Sequence, residues 1–210
     1  ASTKAFLGQM LVLYILCLKI AKTRNDINEK VYQDNIKNLK ILPEAIKECL
    51  KIESSVQVMA KEFLDAKGSM FLGRGLSFPI ALEGALKLKE LSYLHAEGYP
   101  AGEMKHGPLA LIEEGLPVIV IAPKDKYFEK TISNMQEVIA RGGKILFITD
   151  KKKELINENI RFGIRVPSID NLLSPILLTI PLQLLAYHVA LLKNCDIDKP
   201  RNLAKSVTVE

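Results

Sequence analysis

After residue 68 the chain alternates short, unbroken apolar runs with stretches of helical periodicity. That alternation restricts its fold more than any other feature. The apolar runs are Ser69-Met-Phe-Leu-Gly73, Pro117-Val-Ile-Val-Ile-Ala122, Lys144-Ile-Leu-Phe-Ile-Thr149 and residues 160–166. The helical stretches cover residues 78–94, 125–141 and 172–192. A strand with one wet face alternates apolar and polar side chains; runs that are apolar throughout belong to a sheet covered on both faces. Gly142-Gly143 stands where a helix must close just ahead of a strand, the usual place for a C-terminal glycine cap. The expected fold class is therefore α/β, a doubly wound parallel sheet flanked by helices on both faces, with extra N-terminal helices. Ligands of such sheets gather beyond the carboxyl ends of the strands.

Three helical segments come first, over residues 4–22, 25–41 and 43–66, with Ser2 and Thr3 as candidate caps and Pro43 in the first turn of the third. The second has a narrow apolar stripe (Ile27, Val31, Ile36, Leu39) among dense charges and reads as a connector. The first is mostly apolar and echoes residues 172–192, as if it closed a similar domain upstream. It begins so close to Ala1 that the chain reads as an excised piece. Its apolar core, Phe6 to Ile20, is shorter than the ~20 residues of a membrane span and lacks the basic start of a signal peptide. A buried helix is expected there, and no membrane partner.

Composition narrows the function classes. The 210 residues are 48% hydrophobic and 25% charged, a soluble globular balance. The net charge of +5 is spread out, and its densest run, Lys151-Lys152-Lys153, is expected to be a solvated turn. Without a basic face interleaved with aromatics, nucleic acid is not an expected partner. Cys17, Cys49 and Cys195 are far apart and form no CxxC, so neither a disulfide framework nor a zinc site is indicated; a reducing cytoplasm fits.

Four places could carry chemistry. Gly73-Arg74-Gly75-Leu76-Ser77 joins a strand to a helix and suits a close backbone approach or an anion, but it is neither a Walker loop nor a full GxGxxG. Glu83, Lys87 and Glu90 are spaced four and three apart and share a helix face among Ala81, Ala85, Leu88 and Leu91. Charged groups on so apolar a helix must be paired or used, and a carboxylate tuned by an ammonium can shuttle protons. The segment from His95 to His106 gathers histidines, glutamates and glycines in an irregular stretch, and Gly107-Pro108 breaks any helix ending at His106. His188, within an apolar helix, is expected to be a satisfied core histidine. Residues 196–210 end Leu-Ala-Lys-Ser-Val-Thr-Val-Glu, too apolar for a frayed tail, and a desolvated lysine there could form a Schiff base.

Three runs carry a family resemblance: Ala81-Leu-Glu-Gly-Ala-Leu-Lys-Leu-Lys-Glu90, Gly102-Glu-Met-Lys-His106-Gly-Pro-Leu-Ala-Leu, and Lys199-Pro-Arg-Asn-Leu-Ala-Lys205-Ser-Val-Thr-Val-Glu210. In this order they resemble the glutamine–fructose-6-phosphate aminotransferases (isomerizing), the glucosamine-6-phosphate synthase family, over essentially the whole chain. The resemblance implies the second of two sugar-isomerase (SIS) domains with the catalytic tail. Residues 1–24 would be the last helix of the first SIS domain, 25–66 a connector with the first helix of the second, 67–194 that second domain, and 195–210 the tail. It further implies that Lys205 forms the Schiff base with the opened ketose. Glu90 would move a proton between C1 and C2 with Lys87 assisting, and His106 would serve ring opening in the neighbouring subunit. Ser2 and the Ala204 backbone would line the sugar pocket. The implied ligands are fructose 6-phosphate and glucosamine 6-phosphate, the implied assembly is a cytoplasmic homodimer, and no cofactor or metal is called for. The family's serine- and threonine-rich phosphate loop and its glutaminase cysteine have no counterpart here. Low or absent activity is therefore expected of the piece alone. Two other readings of an SIS fold are a non-catalytic regulatory module and a plain isomerase that uses no ammonia; the terminal run argues against the first.

Overall fold

The computed structural model describes residues 2–151 and 160–201. Helices α1 (Thr3–Thr23), α2 (Glu29–Leu50) and α3 (Glu53–Ala60) precede β1 (Gly68–Gly73), α4 (Ser77–Ser92) and β2 (His95–Pro100). Two 3-10 segments, Ala101–His106 and Pro108–Leu111, lead to β3 (Pro117–Ile121), α5 (Phe128–Ile139), β4 (Lys144–Thr149), β5 (Ile160–Arg165) and α6 (Ser174–Leu192). Among the described residues the strands form one sheet in the order β2-β1-β3-β4-β5, every pairing parallel.

The unbroken apolar runs are explained by the two faces they serve. Successive side chains of a strand point to opposite sides. Phe71, Ile119, Ile121, Leu146 and Ile148 enter one core with residues of α3, α4 and α6. Their neighbours Met70, Leu72, Val118, Val120, Ile145 and Phe147 enter a second core with Phe128, Met135 and Val138 of α5. Each fully buried side chain of this size contributes about 1.5–3 kcal/mol of transfer free energy. Two glycines set how closely α4 lies on its neighbours. A Cβ on Gly84 would stand 2.8 Å from Leu182 Cδ1 and 3.0 Å from the Phe71 ring, and one on Gly98 would stand 2.9 Å from the Leu82 backbone. After α5, Gly142 adopts φ 82° and Gly143 N–H donates to the Val138 carbonyl at 3.2 Å, which closes the helix as the glycine pair predicts.

The structure departs from the sequence reading at four places. Helix α2 runs through Pro43 to Leu50, so Pro43 lies inside a helix and does not start one. An interior proline deprives the carbonyl four residues back of its N–H partner, but Pro43 is exposed, where water can serve that carbonyl, and continuing the helix buries Leu42 and Cys49. Asn28 caps α2 by accepting from Val31 N–H at 2.9 Å. Ser2, by contrast, precedes α1 with φ 58° and makes no side-chain cap bond. The stretch from residue 95 forms an edge strand, β2, which its His-Ala-Glu-Gly-Tyr-Pro composition conceals. Lastly, α1 is not a buried helix. Only Leu18 is buried, while Val12 and Leu13 are 63% and 59% exposed, because α1 touches the rest of the described chain along one side. By length and composition both α1 and α6 could cross a membrane; α6 is largely buried as the core helix.

Candidate active site

Helix α4 leaves the carboxyl end of β1 and returns toward the amino end of β2. From its middle to its last turn it brings the predicted trio together. Lys87 is 4% and Glu83 8% exposed, and the Lys87 ammonium lies 2.5 Å from Glu90 Oε2 and 3.9 Å from Glu83 Oε1. The face is apolar because Ala81, Ala85, Leu88 and Leu91 pack it into the core. Two carboxylates and one ammonium share this desolvated site. Burial pushes the Glu83 carboxyl above the usual carboxylate range, Lys87 pulls it back, and the charge of Glu90 adds to the rise. Glu90 is half-buried, so it alone of the three presents its carboxylate toward solvent while held by a buried cation.

The C-terminal end of α4 also receives the chain's exit. Tyr93 ends the helix at φ 59°, and its hydroxyl accepts from the Arg201 backbone N–H at 2.9 Å. The Arg201 guanidinium stacks over the same ring at 4.1 Å, and the Cys195 thiol faces the Ser92 carbonyl at 4.0 Å. The sequence gives no sign of these contacts, since a tyrosine closing a helix has no pattern that names a partner. Ala204 and Lys205 lie outside the described residues.

His106 is elsewhere. It ends the 3-10 segment that follows β2, with its side chain 75% exposed and its ring 3.9 Å from Glu103 Oε2. Glu90 lies just before the amino end of β2 and His106 just beyond its carboxyl end, and six strand residues span roughly 17–20 Å. One chain does not bring the two together. His95 is exposed, 3.6 Å from Glu97. His188 is buried, edge-on to Tyr187, with Nε2 3.3 Å from Glu53 Oε1 but without an aligned hydrogen bond among the described residues. Ser2 is exposed at the start of α1, where the neighbouring Thr3 carbonyl accepts from Gln183 of α6 at 3.3 Å.

The acidic and basic trio is thus not at the carboxyl ends of the strands, where ligands of open α/β sheets usually lie. A cavity of about 410 Å³ does open there, lined in part by Gly75, Lys126, Tyr127 and Ser174. Among the described residues no three His, Cys, Asp or Glu side chains gather as a metal site. Cys17, Cys49 and Cys195 are free thiols, and burial pushes that of Cys49 up to about 12.

The five-stranded parallel sheet with helices on both faces is the fold of an SIS-type domain. The SIS domain family model matches residues 62–193. A solved structure described as the C-terminal domain of glucosamine-fructose-6-phosphate aminotransferase from Francisella tularensis superposes with a TM-score of 0.91 at 44% identity, over 95% of this chain and 56% of that one. Glucosamine-6-phosphate deaminase from Thermotoga maritima follows with a TM-score of 0.69 and 26% identity, over 97% of this chain and 56% of that one. Among curated sequences, glutamine–fructose-6-phosphate aminotransferases (isomerizing) of Bartonella henselae and Bordetella pertussis are 52% and 53% identical across the whole chain, which spans 35% and 34% of their lengths. The chain belongs to the glutamine–fructose-6-phosphate aminotransferase (isomerizing) family and corresponds to its C-terminal isomerase part.

Proposed function

We propose that the protein containing this chain converts D-fructose 6-phosphate and glutamine-derived ammonia to D-glucosamine 6-phosphate, and that this chain supplies the proton-transfer half of the site. The observation that carries the reading is the buried Lys87 ammonium held against the half-exposed Glu90 carboxylate, one turn from the anchor of the C-terminal tail. Lys205 adds its amine to C2 of the opened ketose and water leaves, forming an imine. Ammonia then attacks C2 and releases the lysine. Glu90 takes a proton from C1 of the resulting fructose imine and returns it to C2 while the O1 proton passes to the imine nitrogen, so that C1 becomes the aldehyde and C2 carries the amine. The Lys87 ammonium, 2.5 Å from Glu90 Oε2, holds that carboxylate in place for the transfer. Ser2 and the Ala204 backbone line the sugar pocket.

His106 opens the sugar ring in the other subunit of a cytoplasmic homodimer. Its distance from Glu90, the length of a strand, supports a role in trans. Residues 1–24 then belong to the preceding SIS domain, whose body covers the apolar side of α1; residues 25–66 connect, 67–194 form the second SIS domain, and 195–210 are the tail. The phosphate cradle and the ammonia source reside in the remainder of the polypeptide.

In the intact enzyme, Lys205→Ala should abolish amino-sugar synthesis, and near-normal turnover would overturn the assignment. Borohydride reduction in the presence of fructose 6-phosphate should leave a covalent sugar adduct on Lys205. An unmodified Lys205 would point instead to an enediol route without an imine.

A further inference from the structure

The Gly73-Arg74-Gly75 turn has no part in the chemistry above, yet its arginine is committed to a specific place. Arg74 Nη1 donates to Asn134 Oδ1 at 3.0 Å, and Asn134 is a nearly buried residue of α5. The same guanidinium lies against Gly102. A Cβ there would stand 2.8 Å from Nη1, 3.0 Å from Cζ and 3.2 Å from Nη2, so a larger residue at this position would push the guanidinium out of its place. Gly102 is the second residue of the 3-10 segment that ends at His106. Ala101 and Met104 are buried beneath that segment, and Lys105 reaches back to Glu137 of α5 at 3.1 Å. His106 itself is exposed, with its ring 3.9 Å from Glu103 Oε2. The imidazole thus inherits its position from the segment that carries it.

We propose that Arg74 is a positioning residue for His106: its guanidinium, fixed by Asn134 and seated on Gly102, sets the pose in which the segment presents His106 to a sugar bound in the neighbouring subunit. The inference rests on the reading of His106 as acting in trans. A proton-transfer group displaced by about 1 Å can lose on the order of a hundredfold in rate. Arginine suits this place because its planar fork satisfies the asparagine while its face packs on the peptide backbone, which the point charge of a lysine cannot do.

The test uses the full-length dimeric enzyme. Arg74→Ala and Gly102→Ala should each lower kcat for glucosamine 6-phosphate formation by about tenfold or more, with KM for fructose 6-phosphate little changed. Mixed dimers separate positioning from general damage. An Arg74→Ala subunit keeps its own Glu90 and Lys205 and needs only a good His106 from its partner. Co-assembled with Glu90→Gln subunits, it should recover about a quarter of wild-type activity, since half the dimers are mixed and each has one complete site. Co-assembled with His106→Ala subunits, it should recover nothing. Arg74→Lys, which retains charge and bulk, should show the same pattern if the alanine variant folds poorly.

The control pairs His106→Ala with Glu90→Gln. If that pair complements and the Arg74 pair does not, the positioning role is wrong. If the control itself fails to complement, the trans role of His106 falls, and the Arg74 proposal with it.

Discussion

At the residue scale, Glu83, Lys87 and Glu90 are unequal partners. Lys87 is the buried charge on which both carboxylates depend, so Lys87→Met should cost about 3 kcal/mol by leaving a buried carboxylate without its cation. Glu83→Gln leaves the closer Lys87–Glu90 contact intact and removes a desolvated charge, so it should cost less than about 1 kcal/mol. Urea midpoints of the two variants compare them directly; equal losses would contradict this division. Glu62 differs in sign. Burial alone would raise its carboxyl, but hydrogen bonds from Lys144 at 2.7 Å and Arg161 at 3.1 Å outweigh that and hold it below the ordinary 4.5. A depressed folded value means that its contribution is present above pH 4.5 and is lost as pH falls through the lower folded value. Glu62→Gln should therefore lower the melting temperature at pH 7 and flatten its decline on acidification. Parallel pH profiles of variant and parent would refute this.

At the scale of elements, Pro43 and Tyr93 each make a definite statement. Pro43→Ala restores an N–H inside α2 without disturbing a buried group and should stabilise the chain by about 1–2 kcal/mol. Tyr93→Ala removes both the hydrogen bond and the ring on which Arg201 lies. A stack of this kind is worth about 1 kcal/mol, roughly fivefold in the population of anchored tail, and amino-sugar synthesis by the intact enzyme should fall by at least that factor. Tyr93→Phe keeps the ring and should fall less. β1, β3 and β4 were legible because a run apolar on both faces has few alternatives, and β5 through Ile160, Phe162 and Ile164 despite Arg161 and Arg165; β2 was hidden by its edge position, where Glu97 and Gly98 have solvent or α4 beside them. The spacing of Glu83, Lys87 and Glu90 puts them on one face by helical geometry alone. The pose of Arg74 against Gly102, and of Arg201 on Tyr93, depends on loops whose paths no local periodicity encodes.

At the scale of the whole molecule, the apolar outer side of α1 is the conspicuous exposed surface. Val12 and Leu16 lie one turn apart on it, 63% and 51% exposed. The isolated chain should associate with rising concentration through this side, and Val12→Lys with Leu16→Lys should return it to a lower mass in sedimentation. No change in mass would mean that the association, if seen, arises elsewhere.

The all-parallel order of the sheet has a consequence in time. Among the described residues no strand meets its neighbour through a hairpin; every pairing is parallel and waits for a crossover to close. The join between β1 and β3 waits longest, because Met70 must find Val118 across the whole of α4, β2 and both 3-10 segments. Pulse-labelled hydrogen exchange during refolding should find the amides of β3 and β4 protected together, with the β1–β3 register last. The seam at which the two wings of the sheet meet would then be the slow step in making the molecule, and the interval during which its apolar strands are most open to wrong partners.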